Sequence, residues 1–199
     1  MANFFISDLH IGHANVIRFD QRPFANLSEM HEAIVTNWNN VVTGNDTVYI
    51  LGDFIWGKDS EWPFYVAPLA GNKVLIRGNH DIKGMSKETR KLFADFKDYM
   101  EISDGDRRLI LSHYPIPFHH YDFLENCYML YGHVHSTLEY QHLRNIRKQI
   151  KESWKEDGNP RGNFINVGCM MPWMNYTPRT LDEIIAGDKQ YESAETDSE

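Results

Sequence analysis

The 199-residue sequence predicts an α/β domain. Two observations carry that expectation. Short apolar runs each stop abruptly at a polar cluster. Between them lie segments with helix-capping residues and apolar positions repeating every three or four residues. The length suits one domain with a full hydrophobic core.

Taken in order, Asn3-Phe4-Phe5-Ile6 reads as a buried strand running into Ser7-Asp8-Leu9-His10. Asn26 and Glu29 make a capping pair that opens a helix through Met30, Ile34, Trp38 and Val41. A second strand, Thr47 to Leu51, stops at Gly52-Asp53; a third, Lys73 to Ile76, leads to Gly78-Asn79-His80-Asp81. Ser86 is placed to cap a helix that sets Leu92, Phe93, Phe96 and Tyr99 on one face. Strands recur at Arg108 to Leu111, before Ser112-His113, and at Tyr128 to Tyr131, before Gly132-His133-Val134-His135.

The connection 136–162 is unusually long. Ser136 and Glu139 can open a helix with Leu143, Ile146, Ile150 and Trp154 along one face, accompanied by the basic residues Arg144, Arg147, Lys148, Lys151, Lys155 and Arg161. It reads as a solvated amphipathic helix packed on the body, with a substrate surface as the alternative. A strand at Asn163 to Val167 and a helix opened by Thr180 and Glu183, carrying Leu181, Ile184 and Ile185, complete one domain over 1–187. Residues 188–199 are polar and acidic and are expected to form a frayed, disordered tail.

Composition narrows the function classes. No apolar run approaches the roughly 20 residues that cross a bilayer, so no membrane role is expected. The N-terminal MANFFISDLH lacks a basic region, so no signal peptide is expected either. Cys127 and Cys169 stand far apart outside any CxxC pair, which argues against a disulfide framework or thiolate zinc site and fits a cytoplasmic location. The net charge of −8 argues against a protein that coats nucleic acid by bulk attraction. It leaves room for a locally positive site, because bound cations do not enter a sequence count.

Five predicted strand ends each deliver Asp, Asn or His, and in open α/β sheets ligands gather at the carboxyl edge of the strands. Turn chemistry alone favours Gly, Ser and Pro over His, so a shared metal site is the better reading. Donors without Cys suit Mn²⁺, Fe, Zn²⁺, Co²⁺ or Ni²⁺. Seven such side chains are too many for one ion; two ions bridged by one carboxylate is the economical arrangement, with Asp53 the natural bridge.

The ordered set Asp8-x-His10, Gly52-Asp53, Gly78-Asn79-His80-Asp81, His113 and Gly132-His133-x-His135 resembles the signature of the calcineurin-like metallophosphoesterases. Asp8 to His13, followed by Arg22-Pro23-Phe24, is further similar to the small bacterial and phage phosphoesterases of that group. The resemblance implies a four-layer α/β/β/α sandwich of two mixed sheets flanked by helices; periodicity alone gave only α/β. It also implies Asp8, His10 and His135 on a first divalent ion, Asn79, His113 and His133 on a second, and Asp53 between them, with Mn²⁺ the leading metal. The chain departs from the pattern in two places. No arginine stands in a GDxxxRG position after Asp53, and the third motif is GNHD rather than GNHE. Both lower the expectation of a phosphoprotein or dinucleoside tetraphosphate substrate.

The implied chemistry is hydrolysis of phosphate esters, phosphodiesters in particular, by attack of a metal-bridging hydroxide. His80 is assigned as the general acid and Asp81 as the carboxylate that orients it. His13 and Arg22 are candidate substrate contacts, Arg77 a further candidate for phosphate, and His119 and His120 candidate rim residues. A small molecule or nucleotide is favoured over a polymer as substrate, and a homo-oligomer is left open. A metal-dependent nuclease and a non-catalytic binding scaffold are the competing readings.

Overall fold

Parallel pairing needs crossover connections, and the first half of the chain supplies them. In the computed structural model, which describes residues 1–82, 84–155 and 161–196, β1 (Asn3–Ile6), β2 (Thr47–Ile50), β3 (Asn72–Ile76) and β4 (Asp95–Lys97) form one parallel sheet in that order. Helices α1 (Ala14–Phe19), α2 (Leu27–Val41), α3 (Trp62–Val66) and α4 (Lys87–Arg90) lie in the crossovers. A second sheet has the order β5 (Tyr99–Asp104), β6 (Arg107–Ser112), β7 (Cys127–Tyr131) and β8 (Phe164–Asn166). Its first pair is antiparallel and the others parallel. Helix α5 (Leu138–Ser153) joins β7 to β8, and α6 (Leu181–Thr196) closes the described chain. Two sheets flanked by helices is the expected sandwich. Mixed pairing holds in full only for the second sheet; the first is parallel but for one antiparallel bridge, Phe5 to Arg179, on the free edge of β1.

The two sheets join at the site. Ser7, just past β1, bridges Gly168 in parallel; its amide donates to the Val167 carbonyl at 2.9 Å, and its carbonyl accepts from Cys169 at 2.8 Å. The carboxyl ends of β1, β2, β3, β6 and β7 therefore open on one locus. Burial explains the continuous apolar runs, since the last residues of β1, β3, β6 and β7 are covered on both faces. Helix α2 is capped by Asn26, whose side chain accepts from the Glu29 amide at 3.0 Å, and it buries Met30, Ile34 and Trp38. Among the described residues no helix is long and apolar enough to cross a membrane.

Four expectations need correction. Ser86 does cap a helix, but α4 lasts four residues; Phe96 and Tyr99 lie in β4 and β5, because Asp95–Lys97 extends the parallel sheet beside β3. The domain does not end at 187, nor does a disordered tail begin at 188. Helix α6 continues to Thr196, and Asp188 is buried with its carboxylate gripped by Arg147 Nη1 at 3.0 Å and Nη2 at 2.7 Å. For the same reason Arg147 is no solvated member of a basic stripe: it is buried and also donates from Nε to the Gly162 carbonyl at 3.0 Å. The α5 cap is Thr137, one residue later than expected. Residues 156–160 of the long connection and 197–199 of the tail lie outside the described residues.

Candidate metal centre

Donor atoms from separate strand ends converge in two groups. Asp8, His10 and His135 form one, and Asp53, His113 and His133 the other; within each group the donor atoms all lie within 4.8 Å of one another. His10 Nε2 stands 3.2 Å from His135 Nε2, and His135 Nε2 is 3.7 Å from Asp8 Oδ1. Asp53 Oδ2 lies between the groups, 3.6 Å from His10 Nε2 and 3.5 Å from His113 Nε2. Asn79 Oδ1 is 3.0 Å from His113 Nε2, joining the second group. Ligands about 2.0–2.2 Å from a shared ion stand roughly 3.0–3.5 Å apart along a coordination edge, close to the 3.0–3.7 Å seen here.

Backbone strain is concentrated at the same residues. Asp8, His10, Asp53, His133 and His135 all have positive φ, between 48° and 73°. Left-handed non-glycine residues cost free energy and persist where surrounding structure over-determines them. Gly78 makes the closest approach possible: a Cβ there would overlap the Asp53 carboxylate.

Outer contacts choose which ring nitrogen faces inward. His113 Nδ1 donates to the Leu51 carbonyl at 2.8 Å, and His135 Nδ1 donates to Asp20 Oδ1 at 2.7 Å, so each turns Nε2 to the centre. Burial pushes His10 down to about 3, leaving it neutral, the form that ligates a cation. Burial also opposes charge on His113, yet the Asp53 hydrogen bond and the charges of Asp8 and Asp53 raise it to about 9. His135 is likewise raised against its burial, through Asp20 and Asp8. The carboxylates thus draw protons onto these rings, and divalent cations meet the same demand for positive charge. On donor type, spacing and charge, the residues fit two such ions.

Asp20 escaped the sequence reading. Its only signal was a carboxylate two residues before Arg22, and the partner it orients is 115 residues away. Burial raises its pKa, but the His135 hydrogen bond, that ring's charge and Arg22 outweigh it and hold it low. Arg22 is a correction: it is buried and does not present itself to substrate. Its guanidinium donates to the carbonyls of Asp8 and Leu9, each at 2.8 Å, and to Asp20 Oδ2 at 2.8 and 3.0 Å. It therefore locks the loop that carries Asp8 and His10.

Asp81 is the second correction. Its Oδ2 accepts from the amides of Asp53 at 3.0 Å and Gly78 at 2.8 Å, and its Oδ1 from Phe54 at 2.9 Å. It ties the β2 and β3 loops together instead of orienting His80; burial pushes it up to about 6. His80 is positioned by another route. Its amide donates to Asp53 Oδ1 at 2.9 Å, and its side chain stands exposed 5.6 Å, ring to ring, from His10. His13 stacks on Trp56 near His80. Arg77 is held by Asp98 at 2.5 Å, at the edge of a cleft of about 530 Å³ that Asn79 and Tyr114 also line. His120 pairs with Glu101, and His119 Nδ1 donates to the His120 carbonyl; neither joins a ligand group.

Known proteins resemble this chain over most of its length. An uncharacterized protein of Methanocaldococcus jannaschii (MJ1445) is 32% identical over 186 residues, covering 92% of this chain and 88% of its own length. The Gene 66 protein of Mycobacterium phage L5 is 28% identical over 181 residues, covering 75% and 86%. Among solved structures, the protein of unknown function AQ665 from Aquifex aeolicus superposes with a TM-score of 0.64 at 29% identity, over 92% of this chain and 97% of that one. The calcineurin-like phosphoesterase family model matches residues 4–173, a span that holds every candidate ligand named above, and the chain belongs to that family.

Proposed function

We propose that this protein hydrolyses phosphodiesters at a two-ion centre, with Asp8, His10 and His135 holding one ion, Asn79, His113 and His133 the other, and Asp53 shared. The observation that carries the proposal is the position of Asp53 Oδ2, near-equidistant from His10 and His113. Two divalent cations, Mn²⁺ by preference, would supply Lewis acidity and an activated water for displacement at phosphorus. The protein's own part is then positional and protonic. His80, exposed beside the centre and spent on no ligand group, donates its proton to the departing alkoxide oxygen.

Two further observations support a diester over a monoester. A monoester dianion needs cationic side chains beyond the metals. Arg22 is committed to Asp20 and two carbonyls, and Arg77 to Asp98. A diester monoanion needs no such help. The net charge of −8 favours a small molecule or nucleotide over a nucleic acid polymer. The test is a panel of matched mono- and diesters, cyclic nucleotides and single-stranded DNA and RNA, each with Mn²⁺, Ni²⁺, Zn²⁺ or Mg²⁺. Diesters should turn over fastest; faster monoester hydrolysis under matched conditions overturns the preference.

A further inference from the structure

We propose that Trp56, backed by His13, is the wall against which the leaving group lies, and that it selects an ester whose leaving alcohol carries a flat aromatic ring. The inference rests on the assignment of His80 as proton donor to that alcohol. A general acid must come within about 2.6–3.2 Å of the oxygen it protonates, so the substituent on that oxygen lies against whatever surrounds His80. Among the described residues two rings do: His10, a candidate metal ligand, at 5.6 Å, and Trp56 at 5.1 Å. The leaving group therefore meets the indole.

That indole is built to receive something. Trp56 is 44% exposed, whereas Trp38, Trp62 and Trp173 are buried and Trp154 half-buried. His13 stacks on it at 4.3 Å and 24°. The His13 Nδ1 is itself covered and has no hydrogen-bond partner, so the ring contributes by packing. Exposed Phe19 continues the aromatic row beyond His13. The backbone beneath is rigid. The Trp56 amide donates to the Ile11 carbonyl at 2.8 Å, next to a parallel bridge between Ile11 and Ile55. Gly12, at φ +88°, lets the two loops touch, since a Cβ there would stand 2.6 Å from the Trp56 carbonyl oxygen. An exposed indole fixed beside a proton donor is a stacking platform already in its bound geometry, which saves the cost of ordering it on binding. Base-on-aromatic stacking is tolerant of ring identity, so aryl and nucleoside alcohols share the required chemistry.

The test compares two methyl phosphodiesters, one with a phenolic and one with a fluorinated alkyl leaving group of matched acidity, and adds a nucleoside diester with its abasic counterpart. Wild-type protein should favour the ring-bearing member of each pair by about 5- to 100-fold in kcat/KM. The ratio should fall to near one in Trp56→Ala and survive in Trp56→Phe, with metal content unchanged in both. A preference in only one pair tells aryl from nucleoside substrates. A wild-type ratio near one, or a ratio that Trp56→Ala does not alter, overturns the proposal. If no ester is turned over, the hydrolase assignment fails separately, and binding decides the platform. An aryl methylphosphonate should then quench wild-type tryptophan emission saturably and leave Trp56→Phe emission unquenched. Equal quenching in both, or none in either, overturns it.

Discussion

Replacing Asp20 with Asn should loosen one metal ion more than the other. The Asp20 carboxylate accepts the His135 Nδ1 proton at 2.7 Å and holds that ring with Nε2 toward Asp8 and His10. An amide keeps the volume and one acceptor but loses the charge that makes the imidazole a stronger donor. Outer partners of this kind contribute about 10- to 100-fold in affinity, or roughly 1.4–2.7 kcal/mol. That loss should fall on the ion of Asp8, His10 and His135, because Asp20 bonds the His135 ring, while His113 of the other group is oriented by the Leu51 carbonyl. Arg22 loses its counter-charge at the same time. The metal-free fold should weaken by about 3 kcal/mol, measured separately by denaturant unfolding. Calorimetric titration of the folded variant with Mn²⁺ resolves the two binding steps. Unchanged affinity at both steps, or a loss confined to the His113 group, would refute the assignment of Asp20 as the residue that positions His135.

Four other outcomes are expected. Replacing His80 with Ala should lower turnover by roughly 10²–10⁴-fold at unchanged metal content, with a smaller loss for esters of acidic alcohols; an equal loss for all leaving groups removes the proton-donor role. Arg147→Ala should destabilise the fold by about 3–5 kcal/mol in denaturant unfolding, since it strands the buried Asp188 carboxylate. Pairing Arg147→Met with Asp188→Leu should recover most of that loss; a single mutant no weaker than a surface substitution contradicts the buried pair. Asp46 is lowered to about 2 by the Thr43 hydroxyl and the amides of Ala2 and Thr43. A folded-state pKa below the ordinary value near 4 gives stability that is present above that value and lost as pH falls from about 4 to 2. Asp46→Asn should flatten that limb of the acid-unfolding curve, and an identical acid limb in the two proteins rejects the role.

Much of the centre was legible because apolar strands end so abruptly. Asp8, His10, Asp53, Asn79, His113, His133 and His135 each follow a strand within a few residues, and the strand ends meet at one edge. The partners behind them were not legible. Asp20 acquires its role only through His135, and Arg22 looked available for phosphate because burial is not written beside an arginine in a sequence. Asp81 shows the same limit: as a carboxylate next to His80 it suggested an acid–base pair, while three backbone amides some 3 Å away claim it. The misread helix after Ser86 arose because Phe93, Phe96 and Tyr99, three apart, fit helical spacing; pairing with β3 decided otherwise. The tail looked frayed because its polar residues gave no sign of Arg147, 41 positions before Asp188.

The shared carboxylate is the claim on which the rest depends, and metal stoichiometry tests it most directly. Wild-type protein loaded with Mn²⁺ and freed of excess metal should retain two equivalents per chain by elemental analysis. Asp53→Asn should lose affinity for both, because Asp53 Oδ2 lies about as close to His10 as to His113. One equivalent or less in wild-type protein that still hydrolyses esters would contradict the two-ion centre.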